Sequence, residues 1–189
     1  MERTKPKLVA AAVPWAVAST SHLKVHVTES GELQCLTFVG YFKLKDRSVQ
    51  TGGSISIMNA PDEFRSVTEN YDGSAYRMIR MTFFGAKSYR TRAAISDREV
   101  IAEADYDWSA VPGALRVGEN AVANIKRATD YWILTGMSPD PGVYEIKQSP
   151  WVAEVSLGAD NLRHYMVVGD DDSVDVLAKG WDWEAGQTV

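Results

Sequence analysis

Cysteine is nearly missing from this chain. Cys35 is the single one in 189 residues, so no intrachain disulfide can staple the fold. Stability must come from a packed core, and a chain of this length buries roughly 70% of its unfolded surface. Cys35 lies in a strand-like run without an activating neighbour and reads as a small buried hydrophobe. Histidine is scarce too, with His22, His26 and His164 only. The chain has no Cys-x-x-Cys, no His-Glu-x-x-His, no phosphate-cradling glycine loop and no Gly-x-Ser-x-Gly elbow, which removes the motif-bearing metal, nucleotide and hydrolase classes. No cofactor and no metal site is expected. Net charge is −5 with His neutral, so the broad basic footprint of a nucleic-acid binder is absent.

Long apolar runs are also lacking. The one candidate, Leu8 to Ala18, is broken by Pro14-Trp15 and is too short to span a bilayer. Arg3, Lys5 and Lys7 before it, with Ala16-Val17-Ala18 at its end, outline a weak secretory signal over residues 3–18. Against that outline stand Glu2 and the modest hydrophobicity of an alanine-rich run. No Asn begins an Asn-x-Ser/Thr site. The expectation is a cytoplasmic protein, with secretion as the alternative, and a single β domain over 1–189 with residues 1–20 as a candidate N-terminal appendage.

Aromatic side chains are plentiful, with six Trp and eight Tyr. Ser88 to Trp108 suggests a β-hairpin folded about Asp97-Arg98. In that register Arg92 faces Glu103, Arg90 faces Asp105, Tyr89 faces Tyr106, and Ile95 faces Val100. Cross-strand charge and aromatic pairs are the unit of sheet stabilisation. Glu99, Glu103, Asp105 and Asp107 would then share one strand face, neutralised in part by the arginines.

The rest of the chain reads as short strands. His22 to Glu29 alternates, with Leu23, Val25 and Val27 on one side. Leu33 to Leu44 is apolar on both faces, with Leu36, Phe38, Phe42 and Leu44 opposite Cys35, Val39 and Tyr41; Gly40 marks a bend or a close approach. Val49 to Met58 and Ala75 to Phe84 follow as strands, separated by the long polar connection Asn59 to Ser74. Val143 to Gln148, Trp151 to Leu157, Leu162 to Val168 and Val174 to Trp183 supply four more. Between Gly118 and Leu134 the period changes. Val122, Ile125, Thr129 and Trp132 form a helical stripe, with Asn120 as N-cap. This gives one short helix near 119–129, followed by a strand over Asp130 to Thr135.

About ten strands at roughly 8–12-residue spacing imply an all-β fold with minor helix. The expected architecture is a single antiparallel β-barrel of about 8–10 strands; a β-sandwich or jelly roll is the alternative.

Candidate site residues follow from that picture. His22 and His26 on one strand sit about 13 Å apart and cannot share a metal. Asp170, Asp171, Asp172 and Asp175 lack the loop glycine and terminal Glu of a calcium loop and read as an acidic hairpin tip. His164 shares a strand face with Leu162 and Met166, where it is either a hydrogen-bonded core histidine or a general acid/base in a cavity. A barrel lined by Tyr76, Tyr89, Tyr106 and Trp108, with Arg80 or His164 as polar anchor, would bind an apolar or aromatic small molecule. It could act as a cofactor-free cyclase or isomerase by shaping its substrate. The alternative is a non-enzymatic interaction protein in which Trp181 and Trp183, both on one strand face, meet a glycan or protein. That class covers carbohydrate recognition, an assembly subunit and an inhibitor or immunity-type binder. Homo-oligomerisation is compatible with either.

Overall fold

The computed structural model describes residues 4–43, 50–51, 53–54, 76–95, 100–155 and 161–188. Its organising strand is β4 (Leu33–Phe42), which carries apolar side chains on both faces. Leu36, Phe38 and Phe42 point to the core, and Cys35, Thr37, Val39 and Tyr41 point away. Along one edge β4 pairs with β2 (Trp15–Val17) and β3 (Lys24–Val27); along the other it pairs with β7 (Tyr76–Phe84), which in turn pairs with β13 (Gly180–Thr188). All these ladders are antiparallel.

The second sheet has the order β8 (Ser88–Ala93), β12 (Asp172–Ala178), β11 (Arg163–Val168), β10 (Val143–Lys147), β1 (Lys7–Ala10), β9 (Asp107–Ala110). Only its β1–β9 pair is parallel. A two-residue pair, β5 (Gln50–Thr51) and β6 (Gly53–Ser54), stands apart.

The two sheets are joined at a corner. β7 runs into β8 through Gly85, at φ +59°, and β12 runs into β13 through Lys179. Lys87 N–H to Leu177 C=O (2.8 Å) and Lys179 N–H to Phe84 C=O (2.9 Å) carry the ladder round the bend. Strands that change sheets in this way form the corners of packed β layers. β1 leads to β2 in the same manner, with Ala11 N–H on Val143 C=O.

Between the sheets lies the main core. Trp15, Leu36, Phe38, Phe42, Ile79, Met81 and Phe83 from one sheet meet Val143, Tyr165, Val167, Val174, Val176 and Ala178 from the other. The second sheet also buries its outer face, where Leu8, Tyr144, Ile146 and Met166 pack beneath Ile101 and Val111. Such double burial explains why its strands do not alternate cleanly in sequence.

Gly40 is a position of close approach. A Cβ there would sit 2.6 Å from Cγ1 of Ile79, itself fully buried. Gly40→Ala should therefore cost about 1–3 kcal/mol, as overpacking does. In an Ile79→Ala background the same change should be nearly neutral. Equilibrium urea unfolding of the four proteins checks this through their coupling energy.

The chain is mostly β, as expected, with two sheets, and no closed barrel is found among the described residues. Several other sequence expectations need correction. The Ser88–Trp108 hairpin does not form. β8 pairs with β12, setting Arg90 opposite Asp175, Arg92 opposite Ser173, and Tyr89 opposite Val176. Glu103–Asp105 is a 3₁₀ turn, and Asp107 begins β9 beside β1. Strand β12, with Val174 and Val176 in the core, offers β8 an apolar ladder that the acidic 99–107 segment cannot match; Glu99 and the turn at 96–99 lie outside the described residues. Where a strand was expected over Trp151 to Leu157, α2 spans Pro150–Val155; Ser156 and Leu157 lie outside the described residues. Val174 to Trp183 is two strands bent at Lys179. Leu44, most of Val49 to Met58, and Asn59 to Ser74 lie outside the described residues.

The helix expected near 119–129 is longer. α1 spans Ala121–Thr135, so the strand expected over Asp130–Thr135 is instead its last turns. Asn120 is its N-cap, with Oδ1 accepting from Ala123 N–H at 2.8 Å, and Gly136 at φ +70° ends it. The apolar stripe is not buried as a unit: Val122 is 77% and Ile125 64% exposed, while Trp132 packs edge-on to Tyr41 at 6.0 Å. Polar contacts hold the helix. Arg127 donates to Glu119 (2.9 and 2.8 Å), to Ala114 C=O (2.7 Å) and to Pro112 C=O.

Those contacts, led by the Arg127 hydrogen bond, pull the Glu119 carboxyl down from 4.5 to about 2. A depressed carboxylate stabilises the fold fully above its unfolded pKa and loses that contribution as pH falls through the folded value. Helix anchoring should accordingly weaken between pH 4.5 and about 2. Far-UV circular dichroism across that window checks it, and Glu119→Gln should flatten this component.

Candidate functional site

The most developed polar arrangement lies on the outer face of the second sheet. Strand β10 ends at Lys147, and Gln148 just after it adopts φ +57°, unusual for a residue with a side chain. The chain turns there and enters α2 at Ser149-Pro150. Serine before proline suits the start of a helix, the first as cap and the second at N1. The Ser149 hydroxyl lies 3.4 Å from Val152 N–H, and its shorter contact is elsewhere.

That contact is His164. Ser149 Oγ is 2.7 Å from His164 Nδ1, and His164 Nε2 is 2.8 Å from Asp175 Oδ1. All three residues are buried. His164 is on β11, Asp175 on neighbouring β12, and the β11–β12 register (His164 opposite Leu177, Met166 opposite Asp175) puts both on the outer face. The inner-face neighbours Tyr165, Val167, Val174 and Val176 belong to the core.

These distances accommodate the tautomer in which Asp175 accepts Nε2–H and the Nδ1 lone pair accepts the Ser149 hydroxyl proton; donor and acceptor roles at each ring nitrogen follow from the tautomer. On the far side Arg92 from β8 sets a guanidinium nitrogen 2.7 Å from Asp175 Oδ2. Its N–H bonds are not aligned on that oxygen, which has no geometric hydrogen bond, so this is a contact of opposite charges. Arg92 also hydrogen-bonds the Tyr106 hydroxyl, whose pKa burial raises above its ordinary value. Trp151, in the first turn of α2, meets the His164 ring edge-on at 5.1 Å, and Arg90 Cζ lies 3.9 Å over the Trp151 ring. The imidazole is thus fixed from three sides.

Ser149 and His164 open onto a cleft of about 370 Å³. Ile146, Val152, Ala153 and Leu162 form apolar wall, and Lys147, Gln148 and Arg163 bring donors to it. Glu145 holds Lys147 Nζ at 2.6 Å and Arg163 Nε at 3.9 Å.

The sequence singled out His164 but not its partners. It treated Asp175 as part of an acidic tip; only Asp170 and Asp171 are at the tip, and Asp172 Oδ1 is 3.4 Å from Leu23 N–H. The remaining candidates are dispersed. Arg80 lies on the outer face of the first sheet, paired with Glu184 at 3.0 Å. Tyr76 begins β7 against Tyr41 at 5.3 Å. Tyr89 packs on the core between the sheets, whereas Tyr106 and Trp108 pack on the opposite face, with Trp108 edge-on to Tyr144 at 5.6 Å. Trp181 and Trp183 share a face, as the alternation requires, and turn to the core against Tyr165 (6.5 Å) and Trp15 (5.6 Å). The structure does not gather these aromatic residues around one pocket.

No helix among the described residues is long and apolar enough to cross a membrane. No group of three potential metal-ligating side chains occurs among them. Comparison with protein-family models, curated proteins and solved structures finds no match, so function must be argued from the site.

Proposed function

We propose that this chain is a β-sandwich acyl hydrolase that uses Ser149 as nucleophile, His164 as general base and acid, and Asp175 as the group that orients the imidazole. The observation that carries the reading is the continuous Ser149–His164–Asp175 hydrogen-bond chain at 2.7 and 2.8 Å, opening onto a cleft. A nucleophile touching a base, itself oriented by a third group, is recognised by geometry and roles rather than by chain order.

The chemistry balances with the residues present. Ser149 Oγ bonds to the acyl carbon of an ester while its proton passes to His164 Nδ1. The tetrahedral intermediate collapses, the C–O bond to the leaving alcohol breaks, and His164 returns the proton to that alcohol. Water then attacks the acyl-serine, giving its proton to His164, which restores it to Ser149 as the carboxylic acid leaves. Asp175 keeps Nε2–H throughout and stabilises the imidazolium. Of the cleft donors, Lys147 and Arg163 are engaged by Glu145, which leaves the Gln148 amide as the donor offered to the developing oxyanion. The apolar wall suits a short acyl chain.

The test is hydrolysis of p-nitrophenyl acetate and butyrate by purified protein. Turnover above the buffer rate, lost in Ser149→Ala with an unchanged circular dichroism spectrum, supports the reading. Equal rates for the two proteins count against it.

A further inference from the structure

The outer face of the first sheet holds a second depression that the hydrolase reading does not use. Its shape follows from register. Phe84, Thr82 and Arg80 of β7 lie opposite Gly180, Asp182 and Glu184 of β13, while Cys35 of β4 lies between Thr82 and His26 of β3. Thr82 and Cys35 are short and form a floor. Arg80, Glu184, Asp182, Gln34 and His26 rise around it, enclosing about 510 Å³. Phe84 stands at one end, 51% exposed. Its partner on β13 is a glycine, so no side chain there covers the ring.

The polar groups are already set. Arg80 donates to Glu184 at 3.0 Å, His26 Nε2 is 2.8 Å from Thr37 Oγ1, and Asp182 Oδ1 accepts Trp183 N–H at 2.8 Å. Arg80 is charge-compensated, which disfavours an anion. What remains is a mixture of acceptors (Asp182, Glu184, Thr82) and donors (Arg80, Gln34) beside an open aromatic face. Hydroxyl groups both donate and accept, and a pyranose presents them around an apolar C–H face. We propose that this depression binds a neutral sugar ring, stacked on Phe84 and hydrogen-bonded by Arg80, Asp182 and Glu184. Carbohydrate recognition is thereby assigned to these residues, not to Trp181 and Trp183, which serve the core. The site is separated from Ser149 by both sheets and does not depend on the hydrolase reading.

The experiment is an amide-resolved NMR titration of the full chain with maltose, cellobiose and lactose. Saturable shifts confined to Gln34, Thr82, Asp182 and their neighbours are expected with at least one. Phe84→Ala should weaken that binding about tenfold, the loss of one stacking contact, and Ser149→Ala should leave it unchanged. Three results overturn the proposal: no saturable shift on this face with any of the three sugars, shifts located elsewhere, or an affinity indifferent to both Phe84→Ala and Arg80→Gln. Preference for glucuronate over neutral sugar also overturns it, because Arg80 is already paired with Glu184; so does preference for glucosamine, which would mean that Asp182 selects a cation and not a hydroxyl.

Discussion

Ser149→Ala combined with His164→Gln should cost no more activity than either change alone. Each single variant is expected to lose about 10³-fold or more in ester turnover, because the members of such a relay act as one unit and their losses do not add. Without the serine hydroxyl there is nothing for the imidazole to deprotonate; without the imidazole the hydroxyl is an ordinary alcohol. Asp175→Asn should lose less than either, since an amide oxygen can still accept Nε2–H. Arg92→Gln acts one step further out and should show the smallest loss. Glutamine replaces His164 because the site is buried, and an orphaned Ser149 or Asp175 would cost about 1–3 kcal/mol for reasons unrelated to catalysis. Steady-state kinetics on these five variants and the parent protein measures the order. Additive losses from Ser149 and His164 would mean that the two side chains do not work together.

Trp15→Ala should be the most destabilising substitution in the core, at about 3–5 kcal/mol. Trp15 is fully buried where the sheets meet, with Phe38 at 5.3 Å and Trp183 at 5.6 Å. The void cannot be filled easily, because β2 is three residues long and tied to β4. For a chain of this size the cost corresponds to a fall in Tm of roughly 6–20 °C. Trp15→Phe should lose less than half as much. Its ring keeps most of the contacts, and the change removes the indole N–H, a buried donor without a hydrogen-bond partner. Urea unfolding gives both values.

Much of the fold was legible because it rests on local pattern. β3 follows from period-two alternation, β4, β7, β10 and β11 from short apolar-rich runs bounded by turn residues, and the α1 N-cap from Asn120 ahead of a helical stripe. Gly40 was flagged by its place inside an apolar strand. The failures share one cause, competition between distant segments. Arg90 and Arg92 had acidic partners within a short turn's reach, yet β12 offered the same strand a carboxylate together with two core valines. Local charge pairs of about 0–1 kcal/mol do not outweigh that burial. The helix α2 was missed although Ser149-Pro150 carries a cap and an N1 proline.

Candidate-site legibility was poorer. His164 was noticed because histidine is rare and stands on an apolar face. Asp175 had a comparable signal, a carboxylate inside Val174-Asp175-Val176-Leu177, but it was grouped with the nearby aspartates. Ser149 could be joined to it only through the pairing of β10, β11 and β12, which no local pattern specifies. Gln148 sits at left-handed φ just before the nucleophile, and nothing in its side chain announces that geometry.

The most direct measurement is active-site labelling with a fluorophosphonate, which reacts with a serine only where a neighbouring base activates it. Intact-mass spectrometry should show one adduct per chain. Tryptic cleavage after Lys147 and Arg163 should place it on Ser149 within the 148–163 peptide, and His164→Gln should abolish it. An unlabelled chain under conditions that modify a known serine hydrolase, or an adduct on Ser156 in place of Ser149, would contradict the account.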